Sequence, residues 1–586
     1  MNMKKSTDFK LLLQFSEYVK PHKKWLFAGI SAVPFTTAST VLIPLLIVKI
    51  IDDYIIPGDL AGLHYMGVLL AASILIGYLA DGLYSYSLQR VGQLSIAQMR
   101  LALFSHTLSL PRKYFDKTPI GVTLSRITSD MEALGDSLTI GVLSLFTDFL
   151  KTLSLFIFLF YLSWKLTLII LLVLPIVYLL ARYLRKKLRY YYNTAREALA
   201  DATAFLQECL NGMKTVQLYN AEVKVLQQFK GKNQRFLKSQ TRSNSYDASL
   251  FSVIEGLTSL TMAIIIWYGA GLVLEEAITI GILIGFINTL SKIFIPIREF
   301  TQQIAVIQRA LAALEHIHHL FSQQPDESEE PISESLKKQL DSFESLECDR
   351  VTFRYKADGP PILNNVSFRL NKGEKIALVG KTGAGKTTIL KVLTKTYQDY
   401  TGSIRLNGIE LSAIPRKELF RMITMMQQDV FLFNESLASN ISLQREGIDE
   451  VKIKQAAAYV YADRFIDQLP DKMEYQVIEH GTNLSAGQGQ LISFARSVAS
   501  DSELILLDEA TSSVDSITEN LIQNAIENIF ATKTVIAIAH RLSTIKKSDQ
   551  ILVMKDGEIV ERGNHEELIR KNAYYVDLLH KLHESP

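Results

Sequence analysis

Three short stretches carry residue types that together handle phosphate. In GKTGAGKTT, residues 380–388, Gly380, Gly383 and Gly385 let backbone amides point inward around phosphate oxygens without Cβ obstruction. Lys381, Thr382 and Ala384 complete the turn, and a helix expected to open at Lys386 adds the positive end of its dipole. Lys386 then reaches the terminal phosphates, and Thr387, followed by Thr388, supplies a hydroxyl for Mg2+. In ELILLDEATSSVD, residues 503–515, an apolar strand ends in Asp508 and Glu509, at the strand end where open α/β sheets bind ligands. Asp508 can hold Mg2+ through water, and Glu509 can orient or deprotonate an attacking water. The third stretch, NLSAGQG at residues 483–489, places Leu484, Ser485, Ala486, Gly487 and Gln488 at the start of a helical run. Its hydroxyl, backbone amides and dipole end suit a γ-phosphate. Two acids after a strand mean little alone; after a phosphate-cradling turn they point to water attacking a phosphate.

These residues need a scaffold. KIALVG before the glycine turn predicts a strand and KTTILKVL after it a helix, and from about residue 344 short β-branched runs alternate with helical stretches, the pattern of an α/β domain. Just ahead, FSQQPDESEEPISESLKKQLDSF at residues 321–343 is acidic, Ser-rich and Pro-containing, as a linker is.

The first half is different. The chain has 586 residues, 48% of them hydrophobic, which is too long for one core and too apolar to be wholly soluble. Apolar runs at 25–48, 60–80, 140–162, 166–181, 248–268 and 277–297 predict six membrane crossings. Asp52, Asp53 and Asp59 fall in one connection and Glu275 and Glu276 in another, whereas Arg90, Arg100, Arg112, Lys113, Lys117, Arg126, Arg182, Arg185, Lys186, Lys187 and Arg189 fill the alternate ones. That bias places both termini in the cytoplasm. The long basic connections, 85–138 and 182–245, read as helices that extend the spans, with short crosspieces at Asn211-Gly212 and at Pro119 and Gly121. Asp81, Asp148, Lys151 and Glu255 are charges inside spans, to be paired, set at a boundary or turned to a wet interior; Asp148 and Lys151, three apart, can pair on one helix face. Either a structural pair or substrate contact would account for them.

A net charge of +2 excludes a global basic field for nucleic acid. Cys209 and Cys348 are too few for a disulfide framework or a zinc site. No removable secretory signal is visible at the N-terminus. There Phe9, Leu12, Leu13, Phe15 and Val19 suit one face of a helix, interfacial or simply amphipathic.

On these motifs the chain resembles, over nearly its whole length, a half-transporter of the ATP-binding cassette superfamily, exporter type. The resemblance implies a multidomain membrane protein: a six-helix transmembrane domain of type IV ABC exporter fold at 1–320, the linker at 321–343, and an α/β P-loop ATPase domain at 344–586. By the same resemblance Tyr355 stacks on adenine, Gln428 reaches Mg2+ and the attacking water, Asp515 closes the D-loop, and His540 contacts the γ-phosphate. FDKTPIGVTLSRITSD and NGMKTVQLYNAE are similar to the two coupling helices. It implies catalysis by Glu509, His540 and Gln428, Mg2+ held by Thr387, Gln428 and Asp508, and ATP-driven export of a small or amphipathic molecule. It also implies a multi-pass protein of a bacterial plasma membrane with the cassette in the cytoplasm, and a second half-transporter whose ATP meets the Ser485 turn in trans.

Some positions depart from the family pattern. Ala486 stands in place of a glycine, Gly489 and His480 in place of basic residues, and Gln427 in place of a proline. A Cβ at Ala486 crowds phosphate approach, and the missing arginine removes a charge-assisted donor. With Glu509 and His540 present, this resembles one half of a heterodimer with unequal ATP sites; a homodimer that tolerates the alanine is the alternative. An ATP-gated channel or regulator shares the fold, though the intact Glu509 and His540 favour turnover. A soluble ATPase of DNA or ribosome work is incompatible with the apolar spans. The cargo is not written in the sequence.

Overall fold

The computed structural model describes residues 15–137, 143–326, 334–356, 358–427, 430–508, 516–539 and 542–584. The chain divides into two compact units: Met1–Leu108 with Pro119–Gln324, and Ser109–Thr118 with Pro325–Pro586.

The first unit is helical. Five helices among its described residues are long and apolar enough to cross a membrane, lying within Phe15–Ile55, Leu60–Leu108, Ser144–Leu162, Trp164–Asn211 and Glu222–Leu274. The remaining expected span opens the helix Ile280–Phe321, whose apolar part is Ile280–Ile295. At 1.5 Å per residue Leu60–Leu108 is about 74 Å long, more than twice a hydrocarbon core of about 30 Å, so it continues beyond the membrane as expected. Leu155, Leu159, Ile170, Ile265, Phe286 and Leu290 form a shared core of the last four spans. Pro34, Pro44 and Pro175 sit inside helices, which spans tolerate because neighbouring groups re-satisfy the freed carbonyls.

Charges inside the spans are paired differently from the local expectation. Lys151 donates to Asp81, on another helix, at 3.1 Å, and Asp148 accepts from Gln303 Nε2 at 3.0 Å. Spacing along one helix allowed an Asp148–Lys151 pair; packing offered each a partner across a helix interface instead. Asp52 also has a defined task. The π-helical turn Ile50–Ile55 carries its carboxylate to the start of the sixth span, where it accepts from Gly281 N–H at 2.8 Å and from Thr279 Oγ1.

The crosspiece after Asn211-Gly212 forms as expected, at Met213–Leu218. The other differs: its short helix is Arg112–Lys117, ahead of Pro119, which instead caps Ile120–Ile127, where Gly121 is an ordinary helical residue. Proline at a helix start loses no intrahelical bond, and this favours initiation there over a break further on. The segment Ser109–Thr118 groups with the second unit, where Lys113 pairs with Asp399, and Asp116 accepts from Tyr397 Oη.

The second unit holds two sheets. Strands β1 (Ser345–Phe353), β2 (Leu363–Asn371), β4 (Tyr400–Leu406) and β5 (Ile409–Glu410) form an antiparallel sheet in the order β2-β1-β4-β5. The other runs β10-β9-β3-β8-β7-β6, with β3 (Lys375–Gly380), β6 (Ile423–Met426), β7 (Leu504–Asp508), β8 (Thr534–Ile538) and β9 (Gln550–Lys555) parallel and β10 (Glu558–Gly563) antiparallel at the edge. The unbroken apolar runs ALV, LILL and VIAI are buried on both faces, as parallel strands covered by helices must be. Cys348 is a free buried thiol, pushed up by burial, and Cys209 is free and half-buried.

Candidate nucleotide site

The glycine turn leaves β3 at its carboxyl end. A Cβ at Gly380 would collide with the carbonyl oxygen of Met554 on β9, so the strand can approach its neighbour only as glycine. Gly385, at φ +100°, is the N-cap of Lys386–Leu393, and no side chain caps that helix. Its first amides are therefore left to an outside acceptor, the arrangement that binds phosphate. The Lys386 side chain is 7% exposed and folds back over the turn, its Nζ donating to the carbonyls of Gly380 at 2.7 Å and Lys381 at 3.0 Å. Burial pushes its ammonium down from the ordinary range, and the Asp508 carboxylate pulls it up. An anion arriving here would give the ammonium a stronger acceptor than neutral carbonyls.

Lys381, Thr382 and Gly383 are exposed, Ala384 and Thr388 are buried, and Thr387 is half-buried at the helix start. Thr387 and Asp508 are oxygen donors, the set that Mg2+ takes, so this chemistry fits the ion expected there. Tyr355 follows β1; its hydroxyl lies 3.1 Å from Thr388 Oγ1 and its ring packs edge-on against Phe353 and Tyr397. At 41% exposure the ring keeps a free surface for a planar partner. Tyr355, Thr388, Lys386 and Asp508 are thus tied to one turn. Gln428, Glu509, Asp515 and His540 lie outside the described residues; the first, second and fourth follow within two residues the carboxyl ends of β6, β7 and β8.

The Ser485 turn is a separate feature, with no hydrogen bond to residues 380–388 among the described residues. Ser485 caps the helix Ala486–Ala499 in a reciprocal box: its Oγ accepts from Gln488 N–H at 3.2 Å, and its own N–H donates to Gln488 Oε1 at 2.9 Å. Among the described residues the Ser485 O–H has no acceptor, which leaves its proton for another. Ser485 and Ala486 are exposed, Leu484 and Gln488 half-buried, and Gly487 buried. At Gly489 a Cβ would meet only Leu432 Cδ1 at 3.8 Å and Val430 Cγ1 at 4.0 Å, ordinary contacts. The buried backbone at this position therefore accommodates a Cβ. His480 takes φ +61°, its N–H donates to Asn434 Oδ1 at 2.9 Å, and its ring leans on Phe431 with centroids 4.9 Å apart.

Arg496, on the same helix, was not anticipated. Its guanidinium donates to Asn440 O at 2.8 Å and to Phe431 O at 3.2 Å, tying this helix to the segment after β6. An arginine in an otherwise apolar helical run was the available signal. Asp52 was read only as a charge in a connection, and Lys292 was passed over, although a lysine inside the run 277–297 is as visible as the other span charges.

Residues 26–296 match the ABC transporter transmembrane region family, and residues 363–512 match the ABC transporter family. The chain is 33% identical over 582 residues to the uncharacterized ABC transporter ATP-binding protein YknV of Bacillus subtilis, spanning 98% of this chain and 95% of that protein. It is 34% identical over 517 residues to the probable multidrug resistance ABC transporter ATP-binding/permease protein YheH of the same species, spanning 87% and 75%. Against the ATP-dependent lipid A-core flippase of Thiobacillus denitrificans it is 30% identical over 564 residues, 96% of each chain. A solved bacterial Atm1-family ABC exporter with ATP bound shares the fold, with a TM-score of 0.75 at 23% identity over 95% of this chain and 98% of that one.

A phosphate-cradling cassette joined in one chain to membrane-crossing helices defines a nucleotide-driven membrane transporter. The chain belongs to the ABC transporter family, as an exporter-type half-transporter of type IV fold. It is a multi-pass membrane protein whose cassette binds ATP and couples its hydrolysis to transport.

Proposed function

We propose that this chain is one half of a heterodimeric exporter with unequal ATP sites, which moves a small or amphipathic molecule out of the cytoplasm across a bacterial plasma membrane. The observation that carries the reading is the space at Gly489. A Cβ at Gly489 would make only ordinary contacts, so the absence of a side chain there, beside the exposed Ala486, is not forced by a clash at the backbone. In this reading Lys386 and the 380–388 turn hold ATP, with adenine on Tyr355. Thr387, Gln428 and Asp508 hold Mg2+, which supplies charge neutralisation for phosphoryl transfer. Glu509 orients or deprotonates water and His540 faces the γ-phosphate, while Asp515 lies at the junction of the cassettes. The partner supplies the better signature turn to this site; the Ser485 turn faces the partner's nucleotide at a slower one. Closure of the cassettes passes through the crosspieces and opens the helices outward. The N-terminus and cassette are cytoplasmic in this scheme, and the relatives named for multidrug resistance and for a lipid A-core flippase support an amphipathic cargo.

A homodimer has one observation in its favour: the capping box at Ser485 is intact beside Ala486, so the alanine leaves the helix start undisturbed. Subunit composition decides. Native mass spectrometry of the chain purified at its natural expression level is expected to find a second, homologous subunit in equal amount; a dimer of this chain alone would overturn the heterodimer. In the intact assembly in lipid nanodiscs, Glu509→Gln is expected to lower ATPase activity by about 10²-fold or more, the usual worth of a positioned base. Activity indifferent to Glu509 would remove the assignment of hydrolysis to this site.

A further inference from the structure

The sixth span has two unlike faces. Gly285, Phe286, Thr289, Leu290, Ile293 and Phe294 are buried in the bundle. The opposite face, at helical spacing, presents Asn288 and Ser291 exposed and Lys292 half-buried. None of these three side chains has a hydrogen-bond or ion-pair partner among the described residues. Lys292 stands twelve residues past Ile280, so about 18 Å along the helix, near the middle of a hydrocarbon layer about 30 Å thick. An unpaired ammonium at that depth does not face lipid tails; such residues face a bundle interior or a water-filled cavity. The lipid-compatible surface of the third span is different in kind, with Phe149, Leu153 and Ile157 exposed. The carboxylate on the neighbouring fifth span does not neutralise the lysine. Glu255, also exposed, lies nineteen residues before the helix end at Leu274, about 28 Å down, and is therefore offset from Lys292 by about 10 Å in depth.

We infer that Lys292, with Asn288 and Ser291, forms a cargo-recognition site on the wall of the transport pathway, and that it selects an amphipathic molecule bearing an anionic group, phosphate or carboxylate. The ammonium supplies the charge-assisted donor, and the amide and hydroxyl supply neutral hydrogen bonds on the same face. The apolar Ile284 and Ile295 that bracket them on that face suit the hydrocarbon part of such a molecule. The inference rests on the exporter reading, in which the face left uncovered by this chain lines the space shared with the second subunit.

The test is ATPase stimulation of the complete assembly in nanodiscs by three single-chain probes below their micelle concentrations: dodecyl phosphate, dodecyltrimethylammonium and dodecyl maltoside. Each response is read relative to that variant's own basal rate. Dodecyl phosphate is expected to stimulate at the lowest concentration; Lys292→Gln is expected to raise the half-maximal concentration about tenfold, Lys292→Arg to keep it, and Asn288→Ala to raise it less. An unchanged dodecyl phosphate response in Lys292→Gln, equal stimulation by all three probes, or preference for the cationic probe, as Glu255 would produce, overturns the inference. If Lys292→Gln does not assemble, Asn288→Ala and Lys292→Arg still report on headgroup preference. A basal rate indifferent to Glu509→Gln would instead count against the exporter reading itself.

Discussion

Gly385 combines two constraints that only glycine meets. Its φ of +100° is a conformation that L side chains rarely adopt, and a Cβ there would lie 2.7 Å from the Ile362 carbonyl oxygen and 3.0 Å from Leu363 Cδ2. Gly385→Ala is expected to cost the cassette about 2 kcal/mol, a fall of about 4–8 °C in its thermal transition, and to abolish binding of a fluorescent ATP analogue. An unshifted transition with normal analogue binding would show that the turn relaxes freely. The glycine spacing and the following lysine were legible because backbone chirality and amide direction are local properties. That Lys386 folds onto the carbonyls of Gly380 and Lys381, and that Asp508 lies close enough to act on its charge, required the sheet. At the Ser485 turn the reciprocal cap follows from Ser-x-x-Gln spacing, whereas the room beside Gly489 depends on Leu432 and Val430, far back in the chain.

Helices carry the next level of constraint. The start of the sixth span has orphan amides, and Thr279 satisfies one by accepting from Ile282 N–H at 3.2 Å. Asp52 satisfies another from 229 residues away, and the fit is tight: a Cβ at Gly281 would lie 2.5 Å from Asp52 Oδ2. Asp52→Ala is expected to weaken this end by about 1 kcal/mol, raising amide hydrogen exchange about fivefold around Gly281 and leaving the helix interior unchanged. Exchange at the native rate would assign the cap to Thr279 alone. The span positions were legible, since a membrane demands about 20 apolar helical residues whatever surrounds them. The crosspiece at Arg112–Lys117 was displaced from the expected position because proline can start a helix as readily as it ends one.

At the scale of the whole molecule, Ala486 and Gly489 become a question about two ATP sites. In a heterodimer, Ala486→Gly with Gly489→Arg is expected to raise the assembly's ATP turnover by up to about twofold, because a second site gains its phosphate donors. In a homodimer with two working sites no comparable gain is expected. Single-turnover hydrolysis in the purified assembly distinguishes the two, and a lowered rate would mean that the alanine is tuned to its place.

By itself the sequence determined what this chain can react with and where it can cross a membrane. Glycine spacing, helix starts and apolar runs act within a few residues of each other, and their energetics hold in many surroundings. Tertiary structure alone decided the partners: Asp81 for Lys151, Gln303 for Asp148, Asp52 for the sixth span, and the uncovered face on which Lys292 has none among the described residues. Those choices depend on which helix faces meet. A one-dimensional pattern carries the period of a face but not its neighbour.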